Sequence, residues 1–495
     1  MMGRLGTLRV AVPAAVVLAV VLVFLIALAT QPGTAPPAAA GTQSAAVASI
    51  TRSCPPAATG SSAQHISAVA VPSKSGSAGK STMAPGTATF SSISTAPTKT
   101  ASGATQKSPA QTPDVVSAPG RPATVNTTGD AVAVTATGEM AEGFEAEQSD
   151  ASGTGLVSCT HPGSDMWFVG TGTSAGASQV WLYLANTGNV AASVDVTILT
   201  DTGEQNGLSS AITVAPGQYV KENVTPDVNG SQALALHVQT TMGQVAASAW
   251  EGGSGGGAWL PQAPAPSTTQ VIPGLTVASS PAKLLVVVPG SSDAQLKVIA
   301  YTSAGAVGQF PGTPVDASAG ATTPVILSSL GASAAGLKLT SNVPIVASVL
   351  VPGSGMGAFT TGESPITEQG VVAGNPVTRG VTVGVLLTAP SAAATVSISE
   401  INEDGTVTTP AGDQAVLVPA GHTLGVLVAR PTGARQSFAI VITPGNGSGP
   451  VYAARVVTSG TGGITASLTA LLPVPSALTS ITLPAARNSY TAVLP

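Results

Sequence analysis

Charge is scarce in this sequence. Only 8% of its 495 residues are Asp, Glu, Lys or Arg, against about 25% in an ordinary globular chain. With 17 basic and 22 acidic residues the net charge is −5. That excludes a nucleic-acid binder, which works through clustered Lys and Arg. Aromatics are also rare, at 3%, so a core has to come from Val, Ile, Leu and Ala. Hydrophobic residues still reach 43%, which excludes a charged disordered tail. The 57 Gly and 39 Pro make turns frequent.

Only two cysteines exist, Cys54 and Cys159. In an exported chain such a pair reads most simply as one disulfide. Export is what the N-terminus indicates. Arg4 and Arg9 precede an uncharged stretch, residues 10–30, with nothing basic after it until Arg52. About 20 apolar residues span a bilayer core, and the two arginines orient the short end, 1–9, to the cytoplasm. The expectation is a single-pass cell-membrane protein with the bulk of its chain extracytoplasmic. The competing reading is a secretory signal cleaved after Ala29, which would release the protein.

Residues 31–53, rich in Ala, Pro and Thr, read as a flexible stalk. Residues 91–121 read as a loose insert. Elsewhere short apolar or alternating runs are separated by Gly, Pro, Asn and Asp, the pattern of an all-β chain. The same grammar starts near 179, 283 and 381, a period of about 100 residues, the size of one sandwich domain. Closing runs resemble one another, as in Val245–Trp250, Val346–Leu350 and Tyr452–Val456. The expected architecture is tandem antiparallel β-sandwich, immunoglobulin-like repeats after one transmembrane helix. The units are 54–150 (degenerate), 151–272, 273–370 and 371–485, with a tail at 486–495. On that division the two cysteines start adjacent units, and their bond would staple unit one to unit two. A β-propeller is the alternative architecture.

The segments Met166–Gly172, Leu182–Gly188 and Ala192–Ile198, with Val214–Gly217 and Gly243–Ala247, carry a resemblance. Together with the N-terminal apolar segment, the chain resembles the actinobacterial envelope proteins of domain-of-unknown-function family 5719. The resemblance implies an exported, membrane-anchored, repeat-built β protein and brings no catalytic residues.

Candidate chemistry is sparse. Ser77–Thr82 is loosely like a phosphate loop, but Lys74 stands where the loop needs Gly. His65, His161, His237 and His422 show no zinc spacing, and no catalytic or metal residues and no cofactor are expected. His161 and Asp165 bracket the start of the second unit and read as a turn. Glu139, Glu142, Glu145, Glu147 and Asp150 form the densest charge cluster, and a charged edge strand accounts for them. Asp201 and Glu403 read as turn residues. Trp167, Trp181, Tyr183 and Trp259 are candidate ligand-binding residues, because aromatics on a β surface stack on sugar rings. The expected function is a non-catalytic scaffold or binding protein of the cell envelope, anchored through the N-terminal helix and meeting an envelope protein. The alternatives are a cell-wall polysaccharide binder using those aromatics and an exported hydrolase.

Overall fold

The computed structural model describes residues 20–22, 43–58, 64–72, 83–95, 114–127, 129–150, 155–205, 211–253, 256–276, 281–307, 314–327, 334–353, 355–460 and 467–483. The chain is all-β and divides into two bodies, Ala46–Ser480 and a smaller one made of Met1–Ala45 with Ile481–Pro495. In the smaller body Val20–Leu22 are helical, and strand Gln43–Ala46 pairs with Ser480–Leu483. No helix among the described residues is long and apolar enough to cross a membrane. The anchor expected at 10–30 lies outside them apart from Val20–Leu22, as do the Ser77–Thr82 segment and the tail at 486–495.

In the larger body one order of strand pairing recurs four times. In residues 165–260, Asp165–Thr171 pairs with Ala233–Met242, which pairs with Ala192–Thr200. We call this the front sheet. The back sheet runs Gln218–Asn223, Gln179–Ala185, Ala246–Gly253, Gly256–Leu260. One apolar core, including Phe168, Leu182, Leu184, Val194, Leu236 and Ala247, is lined by both sheets. The same pairing is made by 49–158, 267–361 and 370–474, each around its own core. In the third unit the fifth and sixth of these seven strands are one continuous run, Ala334–Val351, serving both sheets.

Each unit is also closed in the same way. The chain beyond the last back strand returns to the first front strand, at Ser53 with Thr160, Trp167 with Ala263, Val271 with Glu363 and Gly370 with Ser476. The last back strands of the second, third and fourth units meet Leu156, just ahead of the first unit's last strand, around a cavity of about 30 Å³ also lined by Trp259, Phe359 and Leu471.

Three expectations change here. Val157–Ser158 pairs with Phe144–Asp150, so the first unit runs past residue 150. Cys159 follows that strand, and its bond to Cys54 ties the first unit's own front strand to its own closing segment. It is therefore not a staple from unit one to unit two. The expected stalk and insert both contribute strands, Ser49–Cys54 and Ala88–Thr95, because the alternating apolar residues Ile50, Phe90 and Ile93 reach cores.

The units then pack in sequence, front sheet against the next back sheet. Leu285, Val287 and Val346 of the third unit join the core of the second. Leu386, Ala454 and Val456 of the fourth join that of the third. An added Cβ on Gly274 would stand 2.6 Å from Leu386 Cβ, so glycine sets how closely these sheets approach. The fourth unit's front sheet packs on the first unit's back sheet through Val371, Ala373, Val441 and Val69, closing the cycle. Between the first and second units the contact is partly edge to edge, where Gln218–Asn223 runs parallel to Ala88–Thr95.

At the closing junction Glu147 of the first unit meets Arg455 of the fourth, Nη1 to Oε2 2.8 Å, with both side chains buried. The same guanidinium donates to Gly374 O at 2.6 Å, and Gly374 N donates to Glu147 Oε2 at 2.8 Å. Removing one partner of a buried pair strands the other charge and costs about 3–5 kcal/mol, more than replacing both. Arg455→Met is therefore expected to lose about that much stability in urea unfolding, and Arg455→Met with Glu147→Gln to regain most of it.

Candidate functional site

A cleft of about 250 Å³ lies at this closing junction. One wall is the first unit's back sheet, where His65, Ser67, Thr124, Asn126, Glu147 and Gln148 stand on three paired strands. The other is the fourth unit's front sheet, with Gly374–Thr378 and Arg435–Ser437. His65 Nδ1 and Asn126 Oδ1 are 2.6 Å apart across one strand pair. Ser67, Thr124 and Ser437 form a hydroxyl triangle across the junction, at 2.9 to 3.3 Å. An added Cβ on Gly374 would come 2.9 Å from Ser67 Cβ, so glycine keeps the two walls in contact there.

The second wall is held from behind. Glu403 Oε1 accepts from three successive backbone N–H groups, Arg435 at 3.1 Å, Gln436 at 2.5 Å and Ser437 at 3.2 Å. The turn glutamate thus positions cleft residues through their backbone. Asp201 acts similarly in the second unit, accepting from Gln232 N at 2.7 Å.

The predicted aromatic residues are brought together only in part. Tyr183 and Trp259 pack on each other, with centroids 5.6 Å apart, and on Trp250. Both are buried, Tyr183 at 2% exposure and Trp259 at 8%. Trp167 lies apart, buried on the opposite sheet and stacked on His237 at 3.8 Å. These three rings are core and packing groups with no free face for a sugar. Trp181 is half-buried, and the Lys221 ammonium sits over its ring at 3.9 Å.

The acidic cluster is not an edge. Phe144–Asp150 is paired on both sides, so Glu145 and Glu147 are buried between neighbours. Glu145 Oε1 accepts from Arg52 Nη2 at 2.6 Å. Burial pushes its carboxyl up, against the pull of Arg52. Among the described residues no three His, Cys, Asp or Glu side chains are grouped to hold a metal ion. Asp165 pairs with His237 at 3.0 Å rather than with His161, because the antiparallel register sets it diagonally across from His237. Burial lowers the His237 imidazole pKa, and Asp165 opposes that shift. His422 Nδ1 lies 2.8 Å from Ala420 O in its turn.

Sequence reasoning missed Arg455, which sits in an otherwise apolar strand. It also missed Glu251, fully buried, whose Oε2 accepts from Thr171 Oγ1 at 2.8 Å. A lone charge in an apolar strand was the available signal in both cases.

Residues 114–429 match a family of unknown function, DUF5719. The chain belongs to that family. No curated protein matches the chain. Among solved structures, the crystal structure of Streptomyces avermitilis α-L-rhamnosidase complexed with L-rhamnose shares 10% identity at a TM-score of 0.11. The match covers 84% of this chain and 55% of that one, so the chain spans about half that protein's length. At that TM-score the likeness carries no argument about this DUF5719 protein.

Two expectations follow. Burial lifts the Glu251 carboxyl to about 8, against the Thr171 hydrogen bond. The folded chain then keeps a proton that the unfolded chain releases above about pH 4.5. Stability is therefore full below that pH and falls as pH rises toward 8, by about 1.4 kcal/mol per pH unit. Glu251→Gln should match the wild type in urea melts near pH 4.5 and exceed it at pH 8. Glu403→Ala should speed amide hydrogen exchange at residues 435–437 while leaving the core strands of the fourth unit protected.

Proposed function

We propose that this DUF5719 protein is a non-catalytic, membrane-anchored, extracytoplasmic scaffold or binding protein of the cell envelope, built from immunoglobulin-like sandwich repeats. The observation that carries this reading is the closed cycle of four two-sheet units, the first tied by Cys54–Cys159. A structural disulfide belongs to an oxidising compartment, in keeping with Arg4 and Arg9 before the apolar segment 10–30. The sandwich reading is favoured over the propeller because each core lies between two facing sheets, whereas a propeller blade is one four-stranded sheet. A rigid, closed body with little charge suits presentation of a fixed surface to an envelope partner.

The hydrolase alternative is disfavoured by what the nearest pair of acids is doing. Glu145 and Glu147 are each engaged by a guanidinium, whereas glycoside hydrolysis needs an acid and a base free to face the substrate. The glycan alternative loses the buried Trp167, Tyr183 and Trp259 as stacking platforms, but the polar cleft at the closing junction supports it by a different route.

The test is topology. Fusion of an export-dependent reporter to the C-terminus should give active reporter, and non-reducing peptide mapping of the protein from membranes should recover Cys54 linked to Cys159. Free thiols at both positions, or an inactive reporter on a stable chain, would overturn the reading.

A further inference from the structure

A sheet edge left unpaired invites a strand from another chain, and proteins blunt it with shortness, charge, proline or a covering strand. The outer edges of the front sheets are strands of two or three residues, such as Asp114–Val116, Ile212–Val214, Val315–Ala317 and Val407–Thr408. The outer edges of the back sheets are longer, and three of the four carry a guard. In the second unit Gln218–Asn223 holds Lys221 and Glu222 and runs beside Ala88–Thr95 at its start. In the third, Pro324 interrupts Ala321–Leu327 and withholds a donor. In the first, Ala123–Thr127 is five residues long and follows Pro122 directly.

The fourth unit's edge has no such guard. His422–Val428 is seven residues long and contains no Asp, Glu, Lys, Arg or Pro. Among the described residues it pairs on one side only, with Val381–Ala389. Its start is held down, since Thr423 is fully buried and its Oγ1 accepts from Gly336 N of the third unit at 2.9 Å. Beyond that point the edge opens to water. Leu424 and Val426 turn inward and are half-buried at the rim of the fourth core, Gly425 is exposed, and Leu427 is 53% exposed on the outward side. Glycine inside a strand often marks a place where another backbone comes close.

We propose that this edge pairs antiparallel with the same edge of a second copy of the chain, about a two-fold axis through Val426. In that register Val426 faces the partner's Val426 and Leu424 faces the partner's Val428, so the inward row covers the open flank of both cores. On the outward row the exposed Leu427 faces the partner's Gly425, and each leucine fills the gap that a glycine leaves. No like charges are set opposite each other, which would oppose pairing. A charged strand would find no opposite charge here, whereas a second copy brings none. Main-chain hydrogen bonds supply the affinity. The contact is isologous, so it uses up both edges and closes at a dimer. It needs neither the anchor nor the compartment, and it goes beyond the scaffold reading.

The experiment follows the full chain in detergent by sedimentation equilibrium over a concentration series. A monomer–dimer equilibrium is expected. Leu427→Lys, a change at an exposed position, should raise the dimer's dissociation constant about tenfold or more with the circular-dichroism spectrum unchanged. Ile326→Lys, on the proline-bearing edge of the third unit, should dimerise like the wild type. Val426→Cys should form a disulfide-linked dimer under mild oxidation, because facing residues of an antiparallel pair bring their Cα atoms within disulfide range. A chain that stays monomeric throughout overturns the proposal, as does growth beyond the dimer. So does a dimer that Leu427→Lys leaves intact, which would place the contact elsewhere, or a dimeric Val426→Cys that does not crosslink. Each of these leaves the envelope reading standing, whereas free thiols at Cys54 and Cys159 or a cytoplasmic C-terminus would overturn that reading and leave the dimer intact.

Discussion

The back sheets of the third and fourth units are apolar on both faces, and the rest of the structure depends on covering the second face of every back sheet. In Ala282–Val288 and Val381–Ala389 nearly every position is buried, inward and outward residues alike. A sheet with one wet face would alternate. One face of each back sheet lies on its own core, and the other needs the front sheet of the preceding unit. For a linear array the first back sheet would be left bare. The fourth unit supplies that cover, so the number of units and the closure of the cycle answer the same constraint. The scarcity of charge and of aromatics follows from this. Most strand faces are interior, and sheets that approach as closely as Gly274 requires leave room for Val, Ala and Leu rather than rings.

Closure is made by a junction of a different kind. Between the second and third units, and between the third and fourth, aliphatic side chains interdigitate, with hydroxyl bonds among them: Thr322 Oγ1 to Leu199 O at 2.7 Å in the first, and Thr388 Oγ1 to Pro273 O with Gly336 N to Thr423 Oγ1 at 2.9 Å in the second. Between the fourth and first, the apolar contact of Val69, Val371, Ala373 and Val441 is joined by a buried ion pair, a hydroxyl triangle and the amide of Gln369, which donates to Val71 O. Aliphatic faces tolerate sliding, whereas a guanidinium that must meet both Glu147 and Gly374 O has one register. Polar groups that bond across this junction without filling it leave space, and the cleft opens there. Glu403 extends the ordering one layer outward by fixing the backbone of the wall.

Much of the local structure was legible in the sequence. The run Ala294–Thr302 alternates inward and outward along its first five positions, as a strand covered on one face should, and the turns at Asn186, Asp201 and Glu403 lie where Gly and Asn mark them. The family was legible from the Trp167 and Asn186 segments. The pairing of the two cysteines was legible, but the unit they close was not, because the short strand Val157–Ser158 has no pattern of its own. Nor was the cleft, whose walls lie about 300 residues apart in sequence, as the 308-residue separation of Arg455 and Glu147 illustrates. Its signals were indirect. Continuous apolar runs such as Leu284–Val288 meant two covered faces rather than one, and isolated charges in apolar strands meant distant partners. Surface placement of Trp167, Tyr183 and Trp259 failed because a strand buried on both faces gives alternation no meaning.

Val47 N donates to Thr479 O at 3.3 Å, so the larger body finishes where it starts. In such a body the order of the units along the chain is a convention of where the backbone happens to be cut. Joining those two positions and opening the chain between the second and third units, near Pro264, would leave the neighbour relations of all four units intact. Such a rearranged gene would encode a backbone that begins in the middle of the present one and folds to the same closed set of sheets.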